Sequence, residues 1–419
     1  MGDVDLEARD HYARRFHRTM TRLLVSTNHR EVLNSAISGW LYVVDLEKRA
    51  VLKRSAGVEA PYRTHDTNPR GGMRGIRGMG FRNGELALSN YSSILFFDRQ
   101  WNLLRAFTHP SVSAIHEIFY AEDGVWVTST ANDVLACFKP DGEVNPLLYM
   151  RTQKSLMRSL GGPLRQVVRP KDLVTGKKDF RLRTYFNLDV YDRTHLNGIC
   201  QMPDGRLLLS LGLLVGDYFG FLMNIKTLML KLKVWDLFLA LNRGIRRLLH
   251  RDKEMLSELV VQPAKGKSAI VSLGADGDWR THLVLPTAQN PSHSIRRLSD
   301  GTAAYLNTSH GEVIHFNLDG RVISSTKVSE RFLRGLLELP DGRLALGSSN
   351  NLLIFDLQTC SIVDRIELSS DPLNSVFDIQ FLPPEFDLPP DSLEDKVGKI
   401  VGFDGRKVLW ESGAAPVAP

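Results

Sequence analysis

RGLLELPDGRLALGSSNNLLIFDLQTCSIVDRIEL (334–368) holds four short apolar runs separated by turns. Asp341–Gly342 divides the first two runs, and an Asp-Gly step supplies the positive φ that a tight hairpin turn requires. The same plan recurs in RGMGFRNGELALSN (77–90), HEIFYAEDGVWVTST (116–130), NGICQMPDGRLLLSLG (197–212) and HSIRRLSDGTAAYLNT (293–308). Third and fourth runs follow in SILFFDRQWNLLRAF (93–107) and EVIHFNLDGRVISSTKV (312–328). Four strands in a unit of about 40 residues is the arithmetic of a β-propeller blade, and a sandwich would not repeat its turn chemistry at that period.

Five internal blades are countable. VFDIQFLPP (376–384) reads as an innermost strand without successors, and residues 22–55 read as three strands without an innermost one. Joined, they make a sixth blade that closes the ring across the two ends and removes the strand edges that the separate pieces would expose. The expectation is an all-β, six-bladed propeller over 22–384, with an N-terminal extension 1–21 and an unfolded tail 385–419. Two spacings exceed a blade. Residues 151–194 form a basic loop, with ten Lys or Arg and two Asp between Arg151 and Arg183. Residues 212–266 carry an amphipathic stretch, 219–250, the one convincing helix.

Of the 419 residues, 43% are hydrophobic and 24% charged, which excludes wholesale disorder. A net charge of +6 over this length is no signature of nucleic-acid binding, and none is expected. Cys137, Cys200 and Cys360 form no CxxC pair, so a zinc ribbon is excluded and a disulfide framework is not expected. The first 20 residues mix both charges without an apolar core, and no apolar run is long enough to span a bilayer. A cytoplasmic location follows as the expectation. The glycines of 71–80 lead into a strand, not a helix, so no nucleotide cofactor is expected.

RTHLNGIC (193–200), NPSHSIRRLSDGTAAYLNTSHGEV (290–313), FLRGLLELPDGRLALGSS (332–349) and NSVFDIQFLPP (374–384) resemble a motif series. The series runs HLNG, PHSPR with DGRLW-LNSGTGE, ARGLAF with VGLS, and FDVQVLP, and it marks a bacterial propeller family catalogued as a domain of unknown function. The resemblance covers about 74–384 in the same order. It departs at 212–266, where a short aromatic loop is expected, and at Ile295, where the family tends to have Pro. It implies the six-bladed fold and no established reaction.

Innermost strands line a propeller's channel, and their first residues face one mouth of it. Aligning blades on the turn puts Arg77, His116, Asn197, His293, Arg334 and Asp378 at that position, with Glu117, His195 and Arg74 within reach. Polar residues at strand starts also satisfy backbone groups and bridge blades, so each one alone is compatible with a purely structural role. As a set they suit three functions. His116, His293, Asp378 and Asn197 match a divalent metal site with open positions, of hydrolase or lyase type. Asn197, His195, Glu117 and Arg74 would then contact an anionic or lipid-like small molecule. Gluconolactonase-like propellers hold a metal there, an analogy of architecture only. Alternatively, Arg77 and Arg334 clamp an anion while His116 or His293 transfers a sulfuryl or phosphoryl group without metal, as propeller arylsulfate sulfotransferases use His, Arg and Asn. The third is a non-catalytic interaction platform. The stretch 219–250, apolar on one stripe and basic elsewhere, reads either as a lid or as a helix lying on a membrane surface.

Overall fold

The computed structural model describes residues 21–29, 39–61, 75–182, 191–217, 266–287, 291–330 and 332–411, with scattered positions between 225 and 241. Six four-stranded antiparallel sheets form the ring expected from the repeats. Blades I to V start at the innermost strands Met79–Arg82, Ile115–Ala121, Leu196–Gln201, His293–Arg297 and Leu333–Glu338. In blade VI the innermost strand is Asn374–Phe381, which pairs antiparallel with Arg22–His29; Trp40–Asp45 and Ala50–Ala56 complete the sheet. Neighbouring innermost strands touch all the way round, and Asn374–Phe381 touches the strands of both blade V and blade I. The ring is closed.

Each blade is sandwiched, so strands such as LLLSLGLL (207–214) are apolar on both faces and not alternating. Leu207, Leu209 and Leu211 face blade II, whereas Leu208 faces blade IV. In the same way Leu23 and Val25 pack on blade V and Leu24 on blade I. The core is therefore six interblade seams. A side chain lost from one seam weakens two sheets at once.

Residues beyond the ring depart from the expectation of an unfolded tail. Phe386, Leu393, Val397 and Ile400 are buried on the seam between blades VI and I. A hairpin, Ile400–Asp404 with Lys407–Trp410, follows. The basic segment is not wholly solvated either. It contains short helices at Lys154–Leu160 and Pro170–Val174, and Arg151 and Arg181 are buried. Burial is tolerable because Arg151 pairs with Asp133 and Arg181 with Asp179.

Most of 219–250 lies outside the described residues. Among those described, Leu228, Leu232, Leu237 and Leu241 are exposed, and Ile225, Met229 and Phe238 are half-buried. No helix among the described residues is long and apolar enough to cross a membrane.

Candidate functional site

At the channel mouth most innermost strands carry a bulge. Register slips occur between Ile115 and Ile118, Leu196 and Gly198, His293 and Ile295, and Arg334 and Leu336. A bulge inserts one unpaired residue and re-aims its side chain. Gly335 sits in one of them at φ +77°, where an added Cβ would press on Val376 and Ile379 of blade VI.

Three imidazoles converge there: the ring centres of His116, His195 and His293 lie 5.1–5.7 Å apart. One nitrogen from each lies within 4.8 Å of the other two. Hydrogen bonds decide which nitrogen is offered. The Thr130 hydroxyl donates to Leu196 O at 2.6 Å, so it accepts from His116 Nδ1 at 2.7 Å; that N–H also faces Ala114 O at 2.9 Å. Thr308 repeats the device in blade IV, donating to Leu333 O at 2.9 Å and accepting from His293 Nδ1 at 3.0 Å. His195 Nδ1 donates to the Asp192 carboxylate at 2.7 Å. All three rings are thereby held as the tautomer whose Nε2 carries the lone pair, the second-sphere pattern of histidine metal ligands. Burial, followed by Arg334, His195 and Arg77, holds His116 well below the usual imidazole range and so keeps it neutral.

His195 reaches the cluster by a strained route. It stands at φ +46°, just ahead of its strand. Asp192 grips its backbone N–H as well as its ring, at 3.0 Å. The buried Asp133 carboxylate in turn holds the N–H groups of Arg193 and Thr194, and Arg151 Nε, at 2.9–3.2 Å. Asp133 and Arg151 therefore position His195 without touching it.

Two guanidinium groups complete the mouth. Arg334 lies 4.2 Å from the Phe377 ring centre and Arg77 5.1 Å from it. Arg334 also donates to His293 Nε2, and Arg77 donates to Ile115 O at 3.0 Å. Phe377 further meets His116 at 5.6 Å between centres, so one ring underlies His116 and both guanidinium groups.

Other expected site residues are placed elsewhere. Asp378 is not with the histidines: its carboxylate accepts from Arg296 at 3.1 Å and from the Met79 and Ile379 N–H groups at 2.8 Å. Glu117 takes the other side of Arg296 at 2.7 Å. Burial raises Asp378 to about 6; Arg296 opposes this and Glu117 adds to it. Asn197 is spent on structure, donating to Ser292 O and accepting from the Ser210 hydroxyl at 2.6 Å. The expected ligand set of His116, His293, Asp378 and Asn197 is thus not assembled, and the groups that cluster are His116, His195 and His293. Arg74 lies outside the described residues.

No family model matches the sequence, and no curated protein matches it. Among solved structures it is similar to virginiamycin B lyase from Staphylococcus aureus, at 11% identity over 72% of each chain with a TM-score of 0.40. A chain of a nidogen–laminin complex matches at 9% identity over 85% of this chain and 97% of that one, TM-score 0.47. A luciferin-regenerating enzyme matches at 10% identity over 74% and 80%, TM-score 0.43.

Proposed function

We propose that the protein is a metal-dependent enzyme of hydrolase or lyase type. In this reading His116, His195 and His293 hold one divalent cation, and Arg77 and Arg334 bind an anionic group of a small-molecule substrate. The observation that carries the proposal is the clustering of three imidazoles, one nitrogen of each within 4.8 Å of the others, with three separate partners engaging Nδ1 so that Nε2 is the nitrogen each ring has to offer. Nitrogens within 4.8 Å need to close only to ~3.3 Å to sit on a tetrahedral ion at ~2.0–2.1 Å, which side-chain rotation supplies.

Three neutral ligands leave positions for water and substrate, and a bound cation there would polarise a substrate oxygen or lower the pKa of water. The chain's own residues do the rest. Arg77 and Arg334 orient the substrate by its charge, Phe377 excludes water beneath it, and Asp192, Thr130 and Thr308 each engage an Nδ1 and keep the imidazoles aimed. A dication beside two guanidinium groups is unfavourable unless an anion lies between them, which is why the substrate is inferred to be anionic.

Metal-free group transfer to His116 is the second reading, favoured by the Arg334–His293 bond, which occupies a lone pair that a three-histidine metal site would require. Metal content separates the two. One equivalent of zinc, cobalt or manganese per chain is expected after reloading. His195→Ala should weaken binding at least tenfold, and Asp378→Asn should leave the stoichiometry intact. A wild-type chain that retains no metal after dialysis overturns the metal reading.

A further inference from the structure

We propose that Arg334 is a latch that couples metal and anion binding at the mouth. It caps His293 Nε2 in one arrangement and turns onto an oxyanion (carboxylate, sulfate or phosphate) in the other. The inference rests on the metal reading above and adds to it a requirement for the anion.

The argument begins with a lone pair. His293 Nδ1–H is committed to Thr308, so Nε2 has a single lone pair, and Arg334 Nη2 donates into it. That lone pair cannot serve a guanidinium and a cation together. Metal binding to all three histidines therefore requires Arg334 to give up this bond. The guanidinium is placed to exchange partners, because aromatic rings hold it on more than one side, 4.2 Å from the Phe377 centre and 5.2 Å from the Phe332 centre. Cation–π contacts of this kind fix the charge near the rings but leave the N–H edge able to turn toward a new acceptor.

Charge supplies the direction. A dication entering the histidine triangle repels Arg334 and Arg77, which share the Phe377 ring. An oxyanion between them offsets that repulsion and offers the released Nη2 a charge-assisted bond stronger than the one to imidazole. Each ligand thus lowers the cost of the other. Coupling is reciprocal, so the factor by which an oxyanion tightens metal binding must equal the factor by which metal tightens oxyanion binding.

The test uses the metal-stripped full chain titrated with Co²⁺ and read by its visible absorption, at constant ionic strength in chloride, sulfate or acetate. In wild type the Kd for Co²⁺ is expected to fall tenfold or more in at least one oxyanion. In Arg334→Gln, Co²⁺ should bind more tightly in chloride than it does to wild type, and the oxyanion effect should shrink below threefold. The wild-type comparison needs no variant, so it stands even if Arg334→Gln misfolds. A wild-type Kd that is the same in all three salts overturns the latch and leaves the metal site in place. No Co²⁺ binding in any salt overturns the metal reading itself, and the latch with it.

Discussion

Replacing Arg296 by Met should unsettle the channel in a pH-dependent way. Its guanidinium lies between Glu117 at 2.7 Å and Asp378 at 3.1 Å, with those carboxylate side chains only 4% and 1% exposed. Burial alone would weaken the guanidinium's hold on its proton, and the two carboxylates outweigh that. Removing one partner of a buried ion group leaves charge uncompensated, at a cost of about 3–5 kcal/mol. Taking ~2.1 cal/mol/K per residue over the roughly 320 described residues, the midpoint should drop by about 4–7 °C at pH 8. The sign of the pH effect follows from Asp378, already raised to about 6. Without Arg296 it rises further above its unfolded value near 3.9. A raised carboxyl costs stability above its folded pKa, and the cost fades as the pH falls through that value. The deficit at pH 5 should therefore be smaller than at pH 8, and adding Glu117→Gln should recover part of it. Thermal melts followed by circular dichroism decide the matter. An Arg296→Met midpoint within 1 °C of wild type at pH 8, or an equal deficit at both pH values, refutes the reasoning.

His109 is lowered to about 4 by burial, then by Arg406 and Arg181, with Asp179 opposing, while the Ser111 N–H donates to its Nδ1. A depressed histidine contributes stability that is full above ~6.5 and lost as the pH falls toward 4, at ~1.4 kcal/mol per unit. His109→Asn, which keeps an acceptor, should lose about 2 kcal/mol less than wild type between pH 7 and 5 in urea titrations. An equally acid-sensitive variant counts against this. Ending the chain after Pro384 removes the buried Phe386, Leu393, Val397 and Ile400 and should cost several kcal/mol, at ~1.5–3 per buried side chain. An unchanged melt would show that the packing of the tail carries no stability. Exposed Leu232 and Leu237 sit in a sequence rich in Lys and Arg, so wild type should sediment with anionic liposomes at low salt and Leu232→Asp/Leu237→Asp should not. Wild type left in the supernatant would dismiss the membrane surface as a partner.

Blade number was legible because turn chemistry is local, each Asp-Gly or Asn-Gly step announcing its hairpin, and ring closure because 376–384 and 22–55 are left as complementary parts of one blade. Arg77, His116, His293 and Arg334 were legible for the same reason, since a fixed count back from the turn reaches the mouth. Arg296 was not, although it stands only three residues after His293. Counting identified first positions, and nothing in one strand discloses that carboxylates from blades II and VI will meet beside it. His195 was placed near the mouth, but its rank beside His116 and His293 depends on Asp133 and Arg151, whose pairing is tertiary. The C-terminal hairpin did leave a signal, the Asp404–Gly405 step between Ile400 and Trp410. It is a weak signal, because the flanking strands IVGFD and KVLW are short and belong to no repeat.

Ring closure also sets the order in which the protein can become competent. Ser26 and Asp378 are partners across 352 residues of chain. At a synthesis rate of ~5–20 residues per second, the strand Arg22–His29 must wait roughly 20–70 s on the ribosome for its neighbour. Phe377, the ring beneath both guanidinium groups and His116, arrives with that neighbour. A nascent chain with five finished blades therefore already displays all three histidines above a mouth that has no floor. Any premature ligand capture would happen at an open, wet cleft, and birth of the working site coincides with the last strand of the ring to emerge.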